Sequence, residues 1–89
     1  MPADVVSSHL IAMQGQEIVH IMDDYGTDYY LTIPVTDSAN RQTRINAALA
    51  QQSANQAALE AYAAAHGIDL SAQKAAGLAK KAKAEQDGD

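Results

Sequence analysis

Cysteine, phenylalanine and tryptophan are absent from the 89 residues, and proline occurs only twice. Without cysteine there is no disulfide framework and no thiolate metal site. Without Phe or Trp, the only aromatic side chains are four Tyr, and Val, Ile and Leu together number 16. A chain this short buries only about 60% of its unfolded surface. So meagre a stock of large apolar groups points to help from self-association or from a larger assembly. No apolar run approaches the roughly 18 residues that a membrane-spanning helix needs. The opening Met1-Pro2-Ala3-Asp4 carries an acid and no Lys or Arg, unlike the basic start of a signal peptide, so a cytoplasmic protein is expected.

Positive charge is scarce as well. Six Lys and Arg face eleven Asp and Glu, giving a net charge of −5. Residues 1–58 hold six acids against Arg41 and Arg44, and residues 59–89 hold five against Lys74, Lys80, Lys81 and Lys83. An acidic first part argues against a general nucleic-acid binder.

What is present divides in two. Ten of the 16 Val, Ile and Leu residues lie between Val5 and Val35, and all but three of the 19 Ala follow Ile45. Ala favours helix while contributing little burial. Strands first and helices later predict a single α+β domain over 1–89. It comprises a three-stranded antiparallel meander (1–36), a long helix (37–66), a loop with a weaker C-terminal helix (67–85) and a frayed tail (86–89).

The expected strands are 8–13, 17–22 and 28–35. Gln14-Gly15-Gln16 turns the chain between the first two. "DDYGT" forms the second hairpin, with Gly26 suited to a left-handed position. Tyr29, Leu31, Ile33 and Val35 alternate onto one face and Tyr30, Thr32 and Pro34 onto the other. Pro34 cannot donate to a ladder, so it marks an edge or a strand end.

Thr36, Asp37 or Ser38 is the expected cap of a helix that meets no Gly or Pro before Gly67. Over 38–66 it would run about 43 Å, longer than the 25–30 Å expected of a domain this size. Either it breaks at the polar "QQSAN" of 51–55, with Ser53 as a new cap, or it projects and finds partners. Ile45, Leu49, Gln52, Gln56, Leu59 and Ala63 form a heptad-like seam that would suit such a partner. The alternative is that Ile45, Leu49 and Leu59 pack on the chain's own meander. Gly67 fits the left-handed residue of a helix stop, with Ile68 folding back over the last turn. Asp69 or Ser71 then caps a helix over 71–85, which Gly77 weakens.

"LEAYAAAHGIDLSAQKAAGLAKKAKAE", residues 59–85, resembles the helix–extended-loop–helix motif related to the SAP fold. Leu59, Tyr62, Ala63, Gly67, Ile68, Asp69, Leu70 and Ser71 carry the likeness in type and order. Ala75-Ala76-Gly77 departs from the Thr-Lys-Ala common in that family. The resemblance implies a small bacteriophage or prophage protein, including virion and DNA-packaging components, with some nucleic-acid binders among its relatives. A virion joins the cytoplasm as an expected location.

Residues with chemical potential are few. His9 and His20 would approach if the first two strands pair, with Asp23 and Asp24 beyond. A metal site needs three or four convergent ligands, so surface or edge histidines are the simpler reading. Asp23, Asp24 and Asp28 flank Tyr25-Gly26 without the spacing of an EF-hand, and solvated hairpin acids are expected. His66, Asp69 and Ser71 read as a helix end and a cap rather than a catalytic triad.

No enzyme activity, cofactor or metal is implied. The expected function is a structural or assembly protein, acting as a homo-oligomer or within a larger assembly. Tyr30, Ile45, Leu49, Gln52, Gln56 and Leu59 are its candidate interface residues. One alternative is a nucleic-acid module contacting phosphate through Lys74, Lys80, Lys81 and Lys83. Another is a small acidic inhibitor of a host defence protein, which needs Asp23, Asp24, Asp28 and Asp37 on one surface.

Overall fold

In a computed structural model that describes residues 1–87, three strands precede two helices. They are β1 (Asp4–Ile11), β2 (Gln16–Met22) and β3 (Asp28–Pro34), followed by α1 (Arg41–Ala65) and α2 (Ser71–Asp87). The sheet is an antiparallel meander in the order β1-β2-β3. The α+β arrangement is the one the composition predicts. Gln86 and Asp87 continue α2, and the rest of the expected tail, Gly88 and Asp89, lies outside the described residues.

β1 begins four residues before its expected start. Asp4 and Val5 extend the pairing to Met22 and Ile21, and a bulge between Val5 and Ser7 accompanies burial of Val6. Its expected end, Ala12-Met13, belongs instead to a 3-10 turn that closes on Gly15 at φ +63° and leaves Met13 fully exposed.

The period-2 pattern sets one sheet face against α1. Val19, Ile21 and Ile33 join Ala3, Ile45 and Ala48 in the core, with Leu31 and Leu49 packed beside them. Val35 leaves the expected alternation, because it enters a 3-10 segment over Val35–Asn40 and is half exposed.

That segment delays α1. Asp37 accepts a hydrogen bond from the Asn40 side chain at 2.8 Å and pairs with Arg44 at 2.6 Å. It sits at non-helical φ −107°, ψ 34°. None of Thr36, Asp37 and Ser38 caps the α-helix, which starts at Arg41 with no side-chain cap bond.

α1 does not break at 51–55. Gln51 bonds to Asn55 one turn on, and the Ser53 hydroxyl accepts from the Ala3 N–H at 3.2 Å. The polar stretch ties the helix sideways to the chain start, so the helix continues for about 37 Å.

α1 ends as the sequence predicts. Gly67 is at φ +66°, the Ile68 N–H reaches the Ala63 carbonyl at 2.8 Å, and the Gly67 N–H reaches Ala64. This is the Schellman pattern. The Asp69 carboxylate accepts from the Ser71 N–H at 2.9 Å and starts α2. The radius of gyration is 14.7 Å, against about 12 Å for a compact chain of this length.

Candidate functional site

The polar side chains of this protein converge on the loop between β2 and β3. Asp23 is buried, and its carboxylate accepts from the N–H groups of Tyr25 and Thr27, each at 2.9 Å. Gly26 follows at φ +75°. Asp24 turns toward the helices. Its N–H donates to Gln56 Oε1 at 2.9 Å, Gln56 Nε2 donates back to its carboxylate at 3.2 Å, and Lys81 Nζ donates at 3.1 Å. Buried Lys81 also reaches the Pro2 carbonyl at 2.5 Å and Asp4 at 2.7 Å.

Two further clusters flank this one. The Tyr25 hydroxyl donates to Glu60 at 2.9 Å, and Lys74 reaches the same carboxylate at 3.3 Å. On the other side, Lys80 donates to the Gly26 carbonyl and to Asp28, while His20 bonds to Asp28 at 2.7 Å and stacks on Tyr30 with ring centroids 4.4 Å apart.

The loop thus docks on both helices, and glycine permits it. A Cβ at Gly77 would lie 2.3 Å from the Tyr25 backbone, so α2 meets the loop backbone to backbone. The expectation of solvated hairpin acids holds for Asp28, which is exposed, and is overturned for Asp23, which is buried and accepts from two loop N–H groups, and for Asp24, which is half-buried. Asp24 and Asp28 anchor lysines.

Burial acts to raise the Asp24 carboxyl, but hydrogen bonds from Gln56 and Lys81 outweigh it and hold its pKa below the ordinary Asp value. Asp28 is likewise lowered: burial opposes, and His20 and Lys80 prevail. The Arg41 hydrogen bond lowers Glu17, and the Tyr25 hydroxyl lowers Glu60. Burial acts to lower Lys81, yet Asp4 and Asp24 raise it overall.

A stability consequence follows in acid. Carboxylates with depressed folded pKa values stabilise the fold fully above their ordinary values of 3.8 and 4.5, and that contribution is lost as pH falls through the depressed values. Melting temperature should therefore hold nearly level from neutrality to about pH 5 and then fall as acid is added. Thermal melts followed by circular dichroism between these limits and strong acid check this, and a melting temperature indifferent to acid would refute the clusters' role.

The candidate residues fall into distinct places. Ile45 is buried in the core, Leu49 packs beside it, Gln52 is half-buried and Gln56 is buried against Asp24. Leu59 is 40% exposed. Most of the seam that the spacing offers to a partner is therefore covered from within the chain. Tyr30 stands 61% exposed on the sheet face opposite α1.

Of the four lysines, Lys74, Lys80 and Lys81 are engaged by Glu60, Asp28, and Asp4 with Asp24 respectively. Lys83 has no carboxylate partner among the described residues. The inhibitor's four acids do not share a surface: Asp23 is buried, Asp24 and Asp28 hold lysines, and Asp37 lies past the far end of β3 with Arg44. His9 and His20 are diagonal neighbours on β1 and β2, but His20 belongs to Asp28 and Tyr30.

A groove of about 260 Å³ lies where α1 ends and α2 begins, with Ala63, Ala64, Ile68 and Leu70 as its apolar walls and Tyr25, Glu60 and Lys74 at its polar side. No protein-family model, curated protein or solved structure matches the chain. Among the described residues no helix is long and apolar enough to cross a membrane.

Proposed function

We propose that this chain is a non-enzymatic structural or assembly protein, acting by contact with copies of itself or with a larger assembly. The placement of its apolar side chains carries the reading. Among the described residues the large, fully buried side chains are Ile21, Met22, Ile33 and Val19, whereas Leu10 is 65% exposed, Met13 fully exposed and Tyr30 61% exposed around an open sheet. The accessible surface is 5480 Å², against about 5,000 Å² for a folded monomer of this mass. The charged and hydroxyl groups that could serve chemistry mostly hold the loop to the helices instead. The resemblance of residues 59–85 to the helix–extended-loop–helix motif supplies the class of assembly, a bacteriophage or prophage particle.

Phosphate contact through α2 is the weaker reading, since three of its four lysines already face carboxylates.

Light scattering combined with thermal melts tests the assembly reading. The expected result is a melting temperature that rises with protein concentration, because association stabilises by mass action. A chain that stays monomeric and melts above about 65 °C, the top of the ordinary mesophile range, would overturn it.

A further inference from the structure

We propose that the outer edge of β3 pairs antiparallel with β3 of a second copy, about a two-fold axis at Leu31, joining two meanders into one six-stranded sheet. The inference rests on the assembly reading and names its partner.

Backbone register shows which groups are free. The Val35 N–H bonds to the Gly15 carbonyl, and β2 and β3 pair without a shift from Gln16↔Pro34 to Met22↔Asp28. In an antiparallel ladder the hydrogen-bonded residues alternate. Tyr29, Leu31 and Ile33 therefore turn their N–H and carbonyl groups to β2. Asp28, Tyr30 and Thr32 turn theirs outward, where no strand lies. Pro34 belongs to the outward set, so its missing N–H falls at the end of the edge, the place a sheet tolerates it.

The two edges of the meander differ. β1 carries a bulge at Val6, a device that discourages strand addition. β3 has an unbroken register and no charge from Tyr29 to Pro34. It is rich in aromatic and β-branched residues, which suit a pleated surface.

A two-fold axis at Leu31 matches outward residues to outward residues. Tyr30 opposes the second copy's Thr32, each exchanging both backbone bonds, and Asp28 opposes Pro34, so no like charges meet. Asp28 is already paired with Lys80 and hydrogen-bonded to His20. Tyr29 and Leu31, on the α1 side, meet the second copy's Ile33 and Leu31 and continue the apolar layer across the junction. Tyr30 and Thr32 form an aromatic–β-branched cross-strand pair on the open face.

Two variants test the edge. Thr32→Pro removes an outward N–H while leaving every β2–β3 bond in place. Leu31→Cys puts thiols on the axis, at a non-hydrogen-bonded pair whose Cα atoms are about 4.5 Å apart, within disulfide reach. The chain has no cysteine of its own.

In light scattering at about 100 µM, above the Kd range of a modest interface, wild type should show twice the 9.4 kDa chain mass. Thr32→Pro should show the chain mass with an unchanged circular dichroism spectrum. Leu31→Cys should oxidise to a covalent dimer, while Leu10→Cys on the outer edge of β1 should not. Should Thr32→Pro fail to fold, the contrast between the two cysteine variants decides. A wild-type dimer that survives Thr32→Pro, or that leaves Leu31→Cys uncrosslinked, overturns edge pairing and leaves the assembly reading standing. A monomeric wild type of low melting temperature also overturns edge pairing alone, whereas a high-melting monomer overturns both.

Discussion

Replacing Gly77 with Ala should lower the melting temperature by about 10–15 °C, although Ala is the better helix residue by roughly 1 kcal/mol. The sign is decided by what the new methyl meets. Its Cβ would lie 2.3 Å from both the Cα and the carbonyl carbon of Tyr25 and 2.4 Å from the Asp24 carbonyl oxygen. All three are backbone atoms in a loop pinned by Asp23, so no rotamer change relieves the contact. α2 must move outward, and that movement stretches Lys80 from Gly26 and Lys81 from Asp24. Overpacking costs about 1–3 kcal/mol when side chains can yield and more when they cannot. After the propensity gain is subtracted, a net loss of about 2–3 kcal/mol remains. Gly67→Ala gives the contrast: it is at φ +66° with nothing within 4 Å of a Cβ, so only the left-handed penalty of about 1–2 kcal/mol applies. Thermal melts of both variants read the difference. A Gly77→Ala protein at least as stable as wild type would mean that α2 does not dock on the loop.

The same glycine shows where sequence reasoning runs out. Gly26 and Gly67 could be read locally, because a left-handed residue is required by the hairpin and by the helix stop whatever lies elsewhere. The alternation of Tyr29, Leu31 and Ile33 could be read because a strand's period belongs to the strand. Gly77 has a helical backbone and no local need for glycine, so propensity marks it as a weakness. Its reason lies about 50 positions earlier in the chain. Lys81 is hidden in the same way: within "KKAKAE" it looks like part of a solvated face, and it is buried because α2 returns to the chain's first residues, 79 positions away at Pro2.

The polar "QQSAN" reads as a helix breaker when judged alone. Ser53 within it supplies an acceptor to Ala3, and Gln56 just after it a matched pair to Asp24, which makes their polarity a packing feature. The heptad-like seam was legible as a stripe, since Ile45, Gln56 and Ala63 are indeed on the inward side. What the spacing could not say is that the covering partner is the chain's own sheet and loop. Tyr30 was legible as the outlier of β3, an aromatic on the face away from α1. Its stacking on His20 required the register, in which the two are directly opposed.

Lys81→Met should destabilise the protein by about 3 kcal/mol, enough to shift the melting temperature by more than about 10 °C. The Lys81 side chain is only 8% exposed and holds three acceptors. Removing one partner of a buried ion pair costs about 3–5 kcal/mol, because a charge is left without compensation. Here Asp24 keeps Gln56, and Asp4 is 57% exposed, so the lower end applies. Met preserves most of the apolar stem and separates the charge effect from lost packing.

The arms can be apportioned by double-mutant cycles. Coupling of Lys81 to Asp24, 20% exposed, should exceed coupling to solvent-exposed Asp4, which should fall in the range of about 0–1 kcal/mol typical of surface pairs. The pH dependence gives an independent check. The folded pKa of Lys81 is raised, so its contribution is complete below the ordinary value of 10.5 and is lost as pH climbs through the raised value. Wild type should lose stability there, and Lys81→Met should lack that part of the alkaline fall. At the acid end the order reverses. Asp24 without its ammonium partner has less depression to lose, so the melting curve of Lys81→Met should fall less steeply in acid than that of wild type. A variant as stable as wild type, with both limbs unchanged, would place Lys81 in solvent and leave α2 anchored by Lys74, Lys80 and the Gly77 contact.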